Sequence, residues 1–161
     1  MSEACQLSAA VQKLLDVLSI LSTWVDEIPP AQKEGLRYGN PSYRVWHARM
    51  TDQAVPLMQS VLPDQLSGSG QEIAPYFLES FGNATRIDYG TGHETNFCAL
   101  LYCLARLGVV GPQDRQALVL KVFAQYVALM RKIQTTYWWV GAEGRVVRGG
   151  CAGSACVELF V

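Results

Sequence analysis

The sequence predicts an all-α fold, and three observations lead to that class. Apolar residues recur every three or four positions in several segments, which is the period of an amphipathic helix. No segment long enough to form a strand alternates apolar and polar residues, as a half-buried strand does. Half of the 161 residues are hydrophobic and 17% are charged, so the chain can bury a core. We expect a helical domain over residues 1–137 and a glycine-rich tail over residues 138–161 that is either unstructured or a short ribbon.

Two amphipathic helices are predicted in the first part of the chain. The apolar stripe from Ser8 to Glu27 predicts the first, and Pro29–Pro30 ends it because proline cannot continue a helix. The second is expected to start at Asn40–Pro41, since asparagine is a preferred N-cap and proline a preferred first helical residue. Pro56 interrupts the pattern of this second helix and predicts a kink or break near Asp52.

Three further helices and one turn are predicted after the second helix. Ser67–Gly70 predicts a flexible turn or a short linker, and Gln71–Phe81 predicts a short helix. A fourth helix is expected to begin at Thr91 and to end at Gly108, because glycine is common just past a helix end. Gly111–Pro112 predicts the start of the last helix. The inward-facing residues of these last two helices are Phe97, Leu100, Leu101, Leu104 and Leu107, then Leu118, Val119, Val122, Phe123, Tyr126, Leu129 and Ile133.

The loop before the fourth helix is the strongest candidate for a binding site. Thr91 and Glu94 fit a capping box, which would begin a helix there. The free N–H groups and the dipole of such a helix start, with Arg86 just upstream, can hold an anion. A purely structural interpretation also fits, because capping boxes occur for stability alone and Arg86 can pair with Asp88 or Glu94. His93 either donates to a bound group as a neutral imidazole or is an exposed bystander.

Aromatic residues cluster around a second polar segment. One interpretation is a seam between helices, with the ring faces buried and the polar tips in water. The other is an aromatic groove for an extended or proline-containing peptide, since such grooves bind preformed ligands of low entropy. The residues concerned are Tyr38, Tyr43, Trp46 and Tyr89, which flank the polar residues Asn40, Arg44 and Asn83.

Composition and charge argue against several classes of function. The net charge of −1 leaves no basic field for nucleic acid. No stretch reaches the roughly 18 apolar residues that a membrane span needs, and no secretory signal is recognisable. We therefore expect neither nucleic acid nor a membrane as a partner, and a cytoplasmic location with the nucleus as an alternative. The five cysteines match no zinc-binding spacing, and we expect no metal site in the chain itself.

Four segments of the sequence resemble a known family. Tyr38–His47 and Gly82–Glu94 are similar to the two hallmark blocks of the phosphotyrosyl phosphatase activator family, whose members activate serine/threonine protein phosphatase 2A. Trp24–Pro30 and Val122–Gln134 also match this family. The resemblance extends over roughly residues 11–137, and the length of the second block makes it far more specific than a short motif.

The resemblance implies a fold, an activity and a set of ligands. Family members are all-α proteins that bind the catalytic subunit of protein phosphatase 2A, help to load its metals and restore its activity. They bind ATP with magnesium at a site shared with the phosphatase, and they are assigned peptidyl-prolyl cis–trans isomerase activity. The nucleotide-contacting positions of the family correspond to Arg86, Thr91 and Gly92. Candidate contacts to a proline-containing peptide or a partner are Tyr38, Asn40, Tyr43, Arg44, Trp46, Asp88, Tyr89, His93 and Glu94.

The C-terminal tail departs from the family pattern. After Tyr137 the family continues with a Gly-Val-Trp-Gly-Leu-Asp-Asp block that carries metal-linked acidic residues, and Trp138–Val161 does not match it. We therefore expect a fragment, a truncated gene model, or a product whose reading frame changes near Trp138. This leaves two alternatives to an active isomerase, namely a non-catalytic phosphatase-binding module and an inactive truncated fragment. No catalytic residue can be assigned from the sequence.

Overall fold

A computed structural model describes residues 7–32 and 39–137, and in these ranges the all-α prediction is confirmed. The helices are α1 (Ala9–Glu27), α2 (Ser42–Val61), α3 (Gly70–Leu78), α4 (Thr91–Arg106), α5 (Arg115–Ala117) and α6 (Ala124–Tyr137). The same ranges contain no strand beyond a single bridge between Asn83 and Asp88. None of the helices described is long and apolar enough to cross a membrane. Tyr38 and the tail predicted over residues 138–161 lie outside the described residues.

Helix α1 forms where its apolar stripe predicts it. Ser8 is the N-cap, and its hydroxyl accepts a hydrogen bond from the Val11 N–H at 3.3 Å. At the other end, the Ile28 N–H donates to the Trp24 carbonyl at 3.1 Å. The apolar face packs against α2 and α6. Its buried residues are Val11, Leu14, Val17, Leu18, Leu21, Trp24 and Val25.

Helix α2 differs from the prediction in two places. It begins at Ser42, with Pro41 and not Asn40 at the N-cap. The Asn40 side chain accepts a hydrogen bond from the Ser42 N–H at 3.0 Å, so it turns the chain into the helix from one residue further upstream. The sequence predicts a kink or break near Asp52, and the break does not occur, because α2 continues across Pro56. Buried residues on both sides of the proline hold the two halves against one core, and this burial outweighs the ~3 kcal/mol that an internal proline costs.

The segment predicted as a flexible turn, Ser67–Gly70, is helical. A 3₁₀ turn over Asp64–Ser69 leads directly into α3, which ends before the predicted limit at Phe81. Close packing on α2 explains the order of this segment, since a Cβ at Gly70 would lie 2.6 Å from Cγ of Gln59.

The last helical region combines three kinds of helix. A 3₁₀ turn over Pro112–Asp114 leads into α5, a π-helical turn spans Leu118–Phe123, and α6 follows. The Asp114 carboxylate accepts a hydrogen bond from the Gly111 N–H at 2.8 Å and so fixes the start of the region. The buried residues of α6 are Tyr126, Leu129, Met130, Ile133 and Tyr137.

Helix packing brings α2 and α6 to the same loop. Helix α2 packs against α1, α3 and α6, while α3 also packs against α4. Lys132 of α6 donates to the Asp26 carboxylate of α1 at 2.6 Å. Tyr137 donates its hydroxyl to the Ile28 carbonyl at 2.7 Å, and burial raises the pKa of Tyr137 to about 12. These contacts fix α6 beside α1, and from there both α2 and α6 reach the connection between α3 and α4.

Candidate functional site

The candidate site is the connection between α3 and α4, called here the 79–90 loop. The Asn83 N–H donates to the Asp88 carbonyl at 3.0 Å, which closes the loop on itself. The Oδ1 atom of Asn83 accepts hydrogen bonds from the N–H groups of Thr85 and Arg86 at 3.0 and 2.9 Å. Asn83 therefore shapes the turn that carries Arg86, as asparagine side chains often do in turns.

Two buried tyrosines hold the upstream end of the 79–90 loop. Tyr126 donates its hydroxyl to the Ser80 carbonyl at 2.7 Å, and Tyr43 donates to the Phe81 carbonyl at 2.7 Å. Gly82 follows with a φ of 104°, and a Cβ there would lie 2.6 Å from the Tyr43 hydroxyl oxygen. Only glycine fits, because the backbone conformation and the hydroxyl both exclude a side chain. Burial raises the pKa of Tyr43, so its hydroxyl remains a donor.

The middle of the 79–90 loop is strained and is held by the segment that begins α2. Ile87 has a φ of 53°, which is rare for a β-branched residue. Its side chain fills space that Gly39 leaves, since a Cβ at Gly39 would lie 2.6 Å from Cγ2 of Ile87. Arg44 donates from Nε to the Ala84 carbonyl at 3.0 Å and from Nη2 to the Thr85 carbonyl at 3.1 Å. The two hallmark blocks of the sequence are thus in direct contact.

Arg86 carries the positive charge of the loop at its surface. Its Nε donates to Asp88 Oδ2 at 2.6 Å, and the two side chains are 65% and 49% exposed. Of the two ion pairs that the sequence leaves open for Arg86, this is the one that forms. The hydrogen bond to Asp88 raises the pKa of Arg86, so the guanidinium stays charged. An ion pair this exposed contributes little stability, and Arg86 can exchange Asp88 for another anion at low cost.

The capping box predicted at the start of α4 is wrong. Gly90 is the N-cap, Thr91 is the first helical residue, and no side chain of the described residues caps them. The Glu94 carboxylate is buried and accepts a hydrogen bond from the Tyr89 hydroxyl at 3.2 Å, so it does not reach back to the helix start. The His93 N–H donates to the Gly90 carbonyl at 2.9 Å, and the N–H groups of Thr91 and Gly92 stay available to a ligand. A Cβ at Gly92 would meet no atom within 4 Å.

A buried hydrogen-bond network lies behind the 79–90 loop. The Tyr89 hydroxyl lies 2.9 Å from that of Tyr126, whose ring stacks on Phe97 with centroids 3.9 Å apart. Burial raises the pKa of Tyr89, and the neighbouring Tyr126 and Glu94 raise it further. The sequence analysis misses this role of Tyr126, which lies in an apolar stripe. Its hydroxyl, which needs a partner when buried, is the one signal for the role.

His93 faces back toward the end of α3. Its ring stacks on that of Tyr89 with centroids 5.7 Å apart, and its Nδ1 lies 2.6 Å from the Glu79 carbonyl oxygen. A carbonyl can only accept, so Nδ1 is the donor of this hydrogen bond, and in a neutral ring Nε2 would be an acceptor. The sequence analysis considers neutral His93 as a donor to a bound group. The single N–H of a neutral ring is already used, because it donates to the Glu79 carbonyl. Burial lowers the pKa of the nearby His47, which keeps that ring neutral.

The aromatic candidates separate into two groups. Tyr43 and Trp46 are fully buried, and Trp46 donates its indole N–H to a backbone carbonyl of α1 at 3.1 Å. Their placement fits the helix seam and offers neither ring to a surface groove. Tyr89 is half-buried at the loop. Asn40 is also used inside the fold, because it donates to the Ala31 carbonyl at 2.9 Å and accepts from the Ala31 N–H at 3.0 Å.

Comparison with known proteins decides the family. A sequence model with the description "Phosphotyrosyl phosphate activator (PTPA) protein" matches residues 1–149, which is most of the chain. The chain belongs to the PTPA family. The match extends beyond residue 137, where the resemblance seen in the sequence itself ends.

Similar proteins span more than this chain does. It is 37% identical over 136 residues to the probable serine/threonine-protein phosphatase 2A activator 1 of Dictyostelium discoideum, covering 84% of this chain and 42% of the relative. It is 38% identical over 132 residues to serine/threonine-protein phosphatase 2A activator 1 of Schizosaccharomyces pombe, covering 82% and 40%. The crystal structure of the PP2A phosphatase activator Ypa1 PTPA1 matches with a TM-score of 0.76 at 35% identity, covering 84% and 44%. The chain thus spans about two fifths of these PTPA relatives.

Proposed function

We propose that this chain forms part of an activator that acts on the catalytic subunit of serine/threonine protein phosphatase 2A. Membership of the PTPA family supports the proposal, and both relatives compared above carry the name of a phosphatase 2A activator. The chain contributes the 79–90 loop and α4, which the family resemblance links to nucleotide binding.

The ligand that we propose for the 79–90 loop is ATP with magnesium, held through its phosphates by Arg86, Thr91 and Gly92. The open start of α4 is the observation that carries this part of the proposal. A glycine in a helix costs roughly 0.5–1 kcal/mol relative to alanine. At Gly92 neither a positive φ nor packing requires glycine. Close approach of a phosphate to the backbone N–H groups supplies a reason for it.

Each residue of the proposed ATP contact has a separate task. Arg86 exchanges the Asp88 carboxylate for phosphate oxygens, which its planar guanidinium can bind with two hydrogen bonds. Thr91 offers a hydroxyl and Gly92 an N–H, and the positive end of the α4 dipole favours the anion. Magnesium usually keeps several water ligands beside phosphates and one or two carboxylates. Because the described residues hold no group of three metal-ligating side chains, we expect the phosphates to supply most of its ligands.

The experiment for this proposal measures reactivation of the phosphatase 2A catalytic subunit. Inactive, metal-depleted catalytic subunit is incubated with the chain and magnesium-ATP, and hydrolysis of a phosphoserine peptide is then followed. Arg86→Ala should lower reactivation roughly tenfold, because a charge-assisted phosphate contact is lost. The matched control is Arg106→Ala, which removes an exposed arginine at the other end of α4 and should have no effect.

Two results would contradict the proposal in different ways. If the unaltered chain does not reactivate the phosphatase, the activator function is wrong for this chain. If Arg86→Ala and Arg106→Ala behave alike, the phosphatase is activated without the proposed ATP contact.

A non-catalytic phosphatase-binding module is the second candidate. The family resemblance implies prolyl isomerase activity, which would lower the ~18–20 kcal/mol barrier to amide rotation by binding the twisted bond in a groove. The burial of Tyr43 and Trp46 favours the module, because these rings do not line such a groove. The stacked pair Tyr89 and His93 is what supports peptide contact. An isomerase assay on a proline-containing peptide separates the two candidates, and acceleration over buffer would exclude the module.

A further inference from the structure

Arg44 lies in α2 and binds the 79–90 loop through two hydrogen bonds. Its Nε and Nη2 donate to the carbonyls of Ala84 and Thr85, at 3.0 and 3.1 Å. These are the two residues that immediately precede Arg86. A guanidinium is planar and presents its N–H groups in a fixed fork, so two adjacent acceptors fix both the position and the orientation of that stretch of backbone.

Asn83 holds the opposite edge of the same stretch. Its Oδ1 accepts the N–H groups of Thr85 and Arg86, at 3.0 and 2.9 Å. The carbonyls on one edge therefore bind Arg44, and the N–H groups on the other edge bind Asn83. The backbone that leads into Arg86 is restrained on both sides, although Thr85 and Arg86 are themselves exposed.

Ile87, which follows Arg86, has a strained backbone conformation, and this strain requires the restraint of the neighbouring backbone. Ile87 has a φ of 53°, and a residue in this conformation costs about 1–3 kcal/mol. Strained conformations persist only where the surrounding structure over-determines them, and they cluster at ligand-binding sites. Gly39 makes room for the Ile87 side chain on one side, and Arg44 fixes the preceding backbone on the other. Without Arg44 the strain can relax, and Arg86 would move with the backbone.

We propose that Arg44 is a positioning residue that directs Arg86 toward the ATP phosphates. The proposal rests on the ATP contact proposed above for the 79–90 loop. The fork of Arg44 binds loop carbonyls, so its effect on the ligand passes through the backbone. If Arg44 contacted the phosphates directly, its substitution would lower affinity without changing exchange of the loop amides. A purely structural role would lower the stability of the whole fold.

The test compares Arg44→Lys with the unaltered full chain and with Arg49→Lys. Lysine keeps the charge and loses the fork, so it cannot hold both carbonyls. Arg49 is a second exposed arginine of α2 that pairs with Glu27, and it serves as the matched control. Calorimetry with magnesium-ATP, with the phosphatase 2A catalytic subunit present, measures affinity. Hydrogen exchange measures the protection of the Thr85 and Arg86 amides and of the α6 amides.

We expect Arg44→Lys to weaken magnesium-ATP binding roughly tenfold and to speed exchange of the two loop amides, with α6 unchanged. Unaltered affinity, or unaltered loop exchange, would overturn the positioning role. Faster exchange in α6 as well, or the same loss in Arg49→Lys, would show a general loss of stability and overturn it too. Arg86→Ala is measured alongside. If that variant binds magnesium-ATP as tightly as the unaltered chain, the proposed ATP contact itself fails, and the role of Arg44 fails with it.

Discussion

The two ends of the 79–90 loop differ in how far the fold constrains them. At the upstream end, Ser80, Phe81 and Gly82 are buried, and tyrosine hydroxyls bind the first two carbonyls. At the downstream end and in the first turn of α4, a Cβ on Gly90 or on Gly92 would meet no atom within 4 Å. The glycines in this short segment are therefore present for two different reasons. The fold itself requires Gly82, whereas nothing in the packing requires Gly92.

This difference separates structural residues from candidate binding residues. A residue that packing and backbone geometry already explain says nothing about a ligand. A residue that destabilises the fold, and that neither packing nor backbone geometry requires, points to a ligand. Binding loops commonly join a rigid anchor to an open face, and the 79–90 loop has both. Three substitutions test this division, in order of expected effect.

Gly82→Ala should give the largest effect, because it tests the end that the fold requires. A Cβ at this position would lie 2.6 Å from the Tyr43 hydroxyl oxygen and 2.8 Å from the Asp88 carbonyl oxygen, at a φ of 104°. We expect the free energy of unfolding to fall by about 2–4 kcal/mol in urea titrations, from strain and overpacking together. Gly68→Ala is the control, since a Cβ there meets nothing within 4 Å. Equal stability of the two variants would show that the fold does not require glycine at position 82.

Tyr126→Phe should have an intermediate effect on the same end. The ring can still stack on Phe97, while the buried Ser80 carbonyl loses its donor. An unsatisfied buried acceptor costs about 1–3 kcal/mol, and we expect a loss of unfolding free energy in this range. Tyr102→Phe removes a hydroxyl from a tyrosine that is 48% exposed and should change stability little. A Tyr126→Phe variant as stable as that control would mean that the hydroxyl does not anchor the loop.

Gly92→Ala should have the smallest effect on stability, and of opposite sign. Alanine is the better helix former and meets no atom here, so the free energy of unfolding should rise by about 0.5–1 kcal/mol. Affinity for magnesium-ATP should fall, because the methyl group covers the backbone that the phosphates approach. Thermal melting and calorimetry on one preparation measure both. Higher stability with unaltered affinity would leave Gly92 without a role in binding.

The helices could be predicted wherever a long apolar stripe defines one face. Helices α1 and α4 lie where the spacing places them, and Gly108, with a φ of 71°, follows the end of α4 as predicted. The errors occur where a tertiary contact overrides a local preference. Pro56 does not break α2, because the core holds both of its halves. Glu94 binds Tyr89 and not the N-cap, because the buried hydroxyl competes for it.

The sequence indicates where the candidate site lies, but not the contacts that hold its residues in place. The glycine loop and the exposed Arg86 are where the pattern indicates, and the ATP contact stays a prediction. The left-handed Ile87 has no local signature, since its conformation depends on Gly39, which lies far away in the sequence. The fork of Arg44 is likewise a contact between two distant segments. Periodicity and capping rules describe neighbours along the chain and cannot reveal such pairs.

The π-helical turn over Leu118–Phe123 sets the rotational register of the helix that follows it. Each residue of an α-helix advances about 100° around the axis, so one residue more or fewer turns every later side chain by that angle. The π-helical turn fits about one residue more than an α-helical turn, so the same residues wound as an α-helix would direct Tyr126 about 100° away from the Ser80 carbonyl. The 79–90 loop would then lose an anchor while its own sequence stayed the same. Substitutions that convert this turn to α-helix are therefore changes to the candidate site, although they lie outside it.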